Sequence, residues 1–216
     1  MNDENILDDE NAWKDCHVND LWVYDKLILA KKLGYTCGPV GVDVPKSGRY
    51  IIRPITNMCG MGIGAEFVWI DCITDHLPLG YFWCEVFEGR HLSVDYVNGK
   101  QTICVEGFRD DINVIYKWSK WIRTEDLIPF PSIINNLVGK YPYVNVEYID
   151  GKVIEIHLRH SPDFIKNKET KELYVVWEGE STTPPPGMIF VEDPDYKRKG
   201  FFKYETNTTP QPMDGR

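Results

Sequence analysis

A mixed set of acidic and basic side chains lies within one short stretch of the chain, residues 145–159. Glu147 and Glu155 supply two carboxylates, His157 supplies an imidazole and Arg159 supplies a guanidinium. A solvated hairpin face is one explanation of such residues. An idle face would tend towards Lys, Thr and Ser, so the mixture favours a site that binds charged groups.

The spacing of these residues predicts a β-hairpin. Apolar and polar residues alternate strictly on both sides of Asp150-Gly151, which is typical of two strands sharing one buried face. All the polar residues have odd numbers, so they share a face only if paired numbers sum to an even value. A two-residue loop gives an odd sum. We therefore predict a three-residue loop with a glycine bulge, which places Glu147 and Glu155 on one face.

Composition limits the class of protein. The chain has 216 residues, 43% of them hydrophobic, and seven tryptophans, which indicates a folded globule. A formal charge of -9 argues against general binding of nucleic acid or of anionic membranes, because phosphates would be repelled. With no signal-peptide or membrane-span pattern, we predict a soluble cytoplasmic protein. The six cysteines are spread singly and are expected to be buried free thiols.

The elements that must position this hairpin can be outlined from periodicity and turn residues. Trp118 and Trp121 are expected to be core or lobe-interface aromatics. We predict a helix over residues 20–33, a strand over 48–54, a glycine loop over 55–65, a returning strand over 67–70, an apolar segment over 81–88, a hairpin around Asn98-Gly99, a helix over 131–140 and short strands after residue 163.

The order of these pieces resembles the ATP-grasp superfamily of carboxylate–amine ligases. The resemblance covers about residues 20–164. It implies an α+β fold in which two α+β lobes with antiparallel sheets enclose a nucleotide cleft. The motifs that carry it are Asp25-Lys26, Tyr50 to Pro54 with the glycine loop, residues 84–94, residues 145–147 and residues 155–159.

The resemblance also implies a division of the chain into lobes. The predicted parts are an acidic N-terminal lead-in (residues 1–19), a smaller lobe with the glycine-rich loop (20–80), a second lobe with the metal-binding hairpin (81–164) and a C-terminal extension with short strands and a frayed tail (165–216).

Functional roles follow by the same motif correspondence. ATP and Mg²⁺ or Mn²⁺ are the implied cofactors, and an unidentified carboxylate-bearing substrate is the implied partner. Catalytic roles fall to Arg159 and Arg53, which would face the transferring phosphoryl group or hold the phosphates. The implied nucleotide-binding residues are Lys26, Arg53, Gly60, Gly62, Glu85, Val86, Phe87 and His91, and the implied metal ligands are Glu147, Glu155 and His157.

Two positions depart from the family pattern. Arg53 stands where the family has a lysine, which keeps the charge and adds a bidentate fork. His157 stands where the family has an asparagine, and imidazole is a softer ligand than an amide oxygen. This substitution points to a preference for Mn²⁺, a single metal, or a loss of catalysis.

Three functions agree with these observations. The resemblance implies a ligase that activates a carboxylate as an acyl phosphate for attack by an amine or similar nucleophile. The alternative is a nucleotide-binding protein without turnover, with a regulatory or interaction role. A third possibility is a nonenzymatic interaction module built of β-strands.

Overall fold

The fold is described by a computed structural model, which covers residues 8–56 and 61–205. The helices are α1 (Asp9–Lys14), α2 (Lys26–Lys32) and α3 (Pro162–Lys166), with 3-10 helices at Val18–Tyr24 and Ser132–Leu137. The strands are β1 (Cys37–Pro39), β2 (Gly48–Pro54), β3 (Glu66–Ile70), β4 (Tyr81–Glu85), β5 (His91–Val97), β6 (Lys100–Phe108), β7 (Lys120–Arg123), β8 (Tyr143–Ile149), β9 (Lys152–His157), β10 (Glu172–Trp177), β11 (Met188–Asp195) and β12 (Arg198–Tyr204).

The first four strands form a small antiparallel sheet in the order β1-β4-β2-β3. Helix α2 covers one face of it, with Leu27 and Ala30 packed against Phe82 and Cys84 of β4. The other face has its own apolar cluster, in which Trp83 of β4 takes part. Apolar residues thus pack on both faces of the small sheet.

The remaining strands form one large antiparallel sheet in the order β11-β12-β10-β7-β6-β5-β8-β9. Its main core lies between β5, β8 and β9 and the helical segments, where Val94, Val146 and Leu137 are fully buried. A second cluster, with Phe164 and Phe201, lies against the C-terminal strands. The predicted α+β fold with two antiparallel sheets is therefore confirmed.

Two boundaries differ from the sequence outline. Strand β4 pairs with β2, so the small sheet continues beyond the predicted lobe boundary at residue 80. Strands β10 to β12 continue the large sheet and do not form a separate unit. The predicted short strands after residue 163 are confirmed, but their hydrogen bonds make them part of the larger lobe.

The predicted helix over residues 20–33 is broken in two. Asp25 has extended backbone angles and its carboxylate accepts the Ile28 amide at 2.7 Å, so it caps a new helix that begins at Lys26. The segment before it is a 3-10 helix. Aspartate favours such caps over helix interiors because its side chain competes for backbone amides. Residues 131–140 likewise form only a short 3-10 helix, Ser132–Leu137.

The hairpin of residues 145–159 turns through two residues, contrary to the predicted three. Ile149 pairs with Lys152, which leaves Asp150 and Gly151 as the loop. Both have positive φ, 48° and 75°, as a two-residue hairpin turn of this hand requires. The predicted loop length was wrong because an Asp-Gly pair suits this tight turn.

The parity of the hairpin is nevertheless restored, by a bulge inside the ladder. Glu147 pairs with Glu155, whereas the next residue of β8, Tyr148, pairs with Val153. Ile154 is the extra residue, and an unpaired residue of this kind changes the register by one. The predicted common face of Glu147 and Glu155 is confirmed.

No helix in residues 8–56 and 61–205 is both long and apolar enough to cross a membrane. The free thiols expected from the sequence are confirmed for the cysteines at positions 16, 37, 72, 84 and 104, and Cys59 lies outside the described residues. The expected burial holds for Cys84 and Cys104, whereas Cys16 and Cys37 are half-buried and Cys72 is exposed.

Candidate functional site

A cavity of about 550 Å³ lies between the two sheets. Side chains from β2 and β4 of the small sheet and from β5, β8 and β9 of the large sheet form its walls. The residues of these strands that line it include Ile51, Arg53, Cys84, Glu85, His91, Ser93, Asn145, Glu147, Ile154, Glu155 and His157. Most of the polar residues predicted for the site thus meet in one cleft.

Glu155 joins the two lobes through ion pairs. Its carboxylate contacts Lys26 Nζ at 2.8 Å and Arg53 Nη2 at 2.9 Å. All three side chains are largely buried, at 6%, 5% and 11% exposure. Burial lowers the pKa of Lys26, and the Glu155 charge opposes that effect. Within this network the carboxylate is shared between two cations, so the polar face of β9 is enclosed and not solvated.

The bulge in β9 contributes to the same junction. Arg53 donates a second hydrogen bond, from Nη1 to the Ile154 carbonyl at 3.0 Å. A bulged residue leaves a backbone group outside the ladder, where a side chain can reach it. Arg53 therefore holds both the strand and its carboxylate. Lys26 contacts Glu155 but is not among the residues that line the cavity.

Glu147 is paired with a histidine from the neighbouring strand. Its carboxylate lies 3.1 Å from His91 Nε2. Burial alone raises the pKa of Glu147, but the hydrogen bond and charge of His91 outweigh it and lower that pKa. The other ring nitrogen of His91, Nδ1, is buried and has no hydrogen-bond partner in the described residues. The ring edge packs on Trp118, with centroids 4.6 Å apart.

Asp9 is a site residue that the sequence reasoning missed. From the first turn of α1 it accepts hydrogen bonds from His157 Nδ1 and Arg159 Nε, both at 2.8 Å, and it also contacts Arg159 Nη2. Burial opposes its ionisation, but His157 and Arg159 outweigh burial and hold the pKa of Asp9 below its usual range. Burial also disfavours the charged form of His157 and so lowers its pKa, but the charge and hydrogen bond of Asp9 outweigh burial, and the pKa of His157 is raised overall.

This contact could not be found from sequence patterns. Residues 1–19 show only an acidic bias, and Asp9 lies far from its partners along the chain. The contact leaves His157 Nε2 3.5 Å from Glu155 Oε1. The imidazole thus lies between two carboxylates, one from α1 and one from its own strand.

The segment predicted to hold the adenine follows β4. Glu85 and Phe87 line the cavity, whereas Val86 does not. Glu85 also accepts the Thr36 amide at 2.7 Å. Of the glycine loop, Gly62 lines the cavity with φ of 69°, and Gly60 lies outside the described residues.

Metal binding can be assessed from the donors present. In residues 8–56 and 61–205, no group of three or more His, Cys, Asp or Glu side chains could hold a metal ion. Glu147 and Glu155 nevertheless provide two carboxylates on paired positions. Magnesium that accompanies a nucleotide uses one or two carboxylates together with phosphate oxygens and waters. The donor set therefore fits a metal that arrives with ATP, and it does not fit one held by protein alone.

This chain is similar, at low sequence identity, to several solved structures. One is an ATP-grasp superfamily protein from Archaeoglobus fulgidus, with 18% identity, a TM-score of 0.46 and coverage of 85% of this chain and 64% of that one. No family model matches this chain, and no curated protein matches it.

The chain is also similar to two ligases. The ligase PsnB, in complex with a precursor variant, Mg and ADP, has 13% identity, a TM-score of 0.41 and coverage of 68% of this chain and 53% of its own. The L-amino acid ligase from Bacillus licheniformis has 12% identity, a TM-score of 0.40 and coverage of 67% and 42%. This chain thus spans less than two thirds of the length of each of these structures.

Proposed function

We propose that this protein is an ATP-dependent ligase that binds ATP in the cleft between its two sheets and activates a carboxylate as an acyl phosphate. The observation that carries the proposal is the meeting of Arg53 from one sheet with Glu147, Glu155 and His157 from the other around one cavity. Phosphoryl transfer depends mainly on positioning the reactants and on neutralising their charge. The basic and acidic side chains around this cavity could do both.

Most of the predicted residues have a place in the proposed reaction. Glu85 and Phe87 would hold the adenine end, and Arg53 with Lys26 would hold phosphate oxygens. A divalent cation accompanying the nucleotide, Mg²⁺ or Mn²⁺, would be held by Glu147 and Glu155, beside His157. When bound, such a cation neutralises phosphate charge. Gly62 would bring its loop close to the phosphates, since glycine permits close backbone approach.

Ligand binding would change the partners of Glu155. Its two carboxylate oxygens are engaged by Lys26 and Arg53. A triphosphate offers these two cations stronger acceptors, and charge-assisted hydrogen bonds to phosphate replace those to carboxylate. The cations would then move to the nucleotide and leave the carboxylate free for the metal. Arg159, which is bound to Asp9, would face the substrate carboxylate or the transferring phosphoryl group.

A thermal-shift measurement tests the nucleotide part of the proposal. A ligand at a hundred times its dissociation constant should add about 2.7 kcal/mol to the free energy of unfolding. We expect Mg-ATP or Mn-ATP to raise the melting temperature and Arg53→Ala to abolish most of that rise. Arg49→Ala is the matched control, because Arg49 is an exposed residue of the same strand. An unchanged melting temperature with either metal would contradict nucleotide binding.

Binding without turnover is the second candidate function. The contacts of Asp9 with His157 and Arg159 favour it, because they occupy one residue proposed to lie beside the metal and one proposed to face the substrate. Measuring ADP formation with a series of carboxylates, with hydroxylamine present to trap an acyl phosphate, separates the two. Hydroxamate formation supports the ligase, whereas ATP binding with no ADP formed for any acceptor supports the second candidate.

A further inference from the structure

The lysine and arginine side chains that line the cavity differ in one respect, namely whether a carboxylate neutralises them. Four are paired: Arg53 with Glu155 at 2.9 Å, Arg159 with Asp9, Lys166 with Asp193 at 2.8 Å and Arg198 with Asp163 at 3.0 Å. The fifth is Arg109, for which the described part of the chain offers no hydrogen bond or ion pair. An anion entering the cleft would therefore meet Arg109 without first breaking a salt bridge.

Arg109 is held in a fixed orientation despite having no ion pair. Its guanidinium carbon lies 3.3 Å from the ring centroid of Trp118. Trp118 is buried and packs in turn on Trp121, with centroids 4.4 Å apart. A guanidinium stacked by its face keeps its N–H donors in the plane, where they remain available to a planar or tetrahedral anion.

One donor of Arg109 is also shielded from water. Its Nε atom is buried and has no acceptor in residues 8–56 and 61–205. Burial lowers the pKa of Arg109 to about 10, an effect that the charge of Glu147 opposes. The side chain thus stays charged at neutral pH. A buried donor is normally hydrogen-bonded, so the unpaired Nε of Arg109 indicates a missing partner.

The surroundings of Arg109 place it inside the cleft, where both lobes meet. It follows β6, at the start of a segment whose Ile115 lies close to Gly62 of the glycine loop. Asn113, which lies between Arg109 and Ile115 in the chain, accepts a hydrogen bond from Arg49 of β2 at 3.3 Å. This segment therefore contacts the small sheet, and it contributes Arg109 and Ile115 to the cavity lining.

We propose that Arg109 is an anion receptor in the cleft, which binds a carboxylate or phosphoryl oxygen of the ligand against the Trp118 platform. The choice between these two groups rests on the proposed function, because the substrate carboxylate and the phosphates of ATP are the two oxyanions that the reaction brings there. Binding of an anion by Arg109 does not depend on that function.

Anion binding can be measured through tryptophan fluorescence, since Trp118 contacts Arg109. The probes are inorganic phosphate, acetate and a nonhydrolysable ATP analogue with Mg²⁺, each titrated into wild type, Arg109→Met and Arg49→Met. Methionine keeps the unbranched stem and removes the charge. Arg49→Met removes the same charge from an exposed site that contacts the same segment. Circular dichroism and melting curves establish that each variant folds.

We expect at least one probe to bind wild type and Arg49→Met equally and to bind Arg109→Met roughly tenfold or more weakly, as for lost hydrogen bonds to a charged group. Weakening for phosphate and the analogue assigns Arg109 to the phosphoryl group, and weakening for acetate alone assigns it to the carboxylate. If Arg109→Met does not fold, Arg109→Lys, which keeps the charge and loses the planar fork, should still weaken binding.

Equal affinity of wild type and the Arg109 variants for every probe would overturn the inference, as would a wild type that binds none of them. A failure of the ATP analogue alone to bind has a different meaning. If phosphate or acetate binds through Arg109 while the ATP analogue does not bind, the proposed function is wrong and the anion receptor stands.

Discussion

Replacing Glu155 by glutamine should destabilise the protein strongly. The change removes the charge shared by Lys26 and Arg53 and keeps the shape of the side chain. Removing one partner of a buried ion pair costs about 3–5 kcal/mol, because the remaining charge is buried without compensation. Lys26 can lose its proton, since burial already lowers its pKa. We therefore expect the lower part of that range, about 3–4 kcal/mol.

Urea denaturation followed by circular dichroism measures this loss, and a thermal melt gives an independent value. For a chain of 150–250 residues, each kcal/mol lowers the melting temperature by roughly 2–4 °C, so the expected decrease is roughly 6–16 °C.

A matched control is Glu106→Gln, which removes a carboxylate bonded to Arg90 at 2.8 Å on the surface of the same sheet. Arg90 is half exposed and keeps a second partner in Asp126, so this change should cost no more than about 1 kcal/mol. Adding Lys26→Met to Glu155→Gln should recover part of the loss. Equal small losses for the two glutamine variants would refute the assignment of Glu155 as a buried ionic junction.

Two further substitutions test the contacts around the cleft. The pKa of Asp9 is lowered, so the stability that its charge contributes is present above the ordinary pKa of 3.8 and is lost as the pH falls. The pKa of His157 is raised, so the stability that its charge contributes is full below the ordinary pKa of 6.5 and is lost as the pH rises. Asp9→Asn should therefore cost most between these two pH values, roughly 3–5 kcal/mol in urea melts, and a loss that does not depend on pH would contradict the pairing. Gly107→Ala would place a Cβ 2.5 Å from Trp118 and should cost about 1–3 kcal/mol and shift the tryptophan emission. Gly48→Ala, whose Cβ would make an ordinary van der Waals contact with Tyr50 at 3.7 Å, is its control and should change neither.

Period-two alternation and turn residues determined the strand pairs close in sequence. The hairpin at Asn98-Gly99, the strand of residues 48–54 and the common face of Glu147 and Glu155 all follow from local pattern, because a buried face imposes its period on the chain. The motif order was also sufficient to indicate two antiparallel sheets around a cleft.

Local geometry was less well predicted where backbone and side chain compete. Asp25 caps a new helix, although the sequence predicts one continuous helix over residues 20–33. The extra residue of the hairpin is Ile154 in the ladder, not the turn. Both outcomes depend on hydrogen bonds that a hydrophobic pattern does not record: one to the Ile28 amide, the other from Arg53 to the Ile154 carbonyl.

The charge state of the cleft was decided by tertiary structure alone. Sequence supplied the types and order of the charged residues, but their partners come from distant elements: Lys26 reaches Glu155, and Asp9 reaches His157. Arg109 shows the opposite case, since nothing in its neighbourhood along the chain reveals that it stacks on Trp118 and makes no ion pair in the described structure. Electrostatic interactions depend on distance and burial in space, and neither quantity can be obtained from the order of residues.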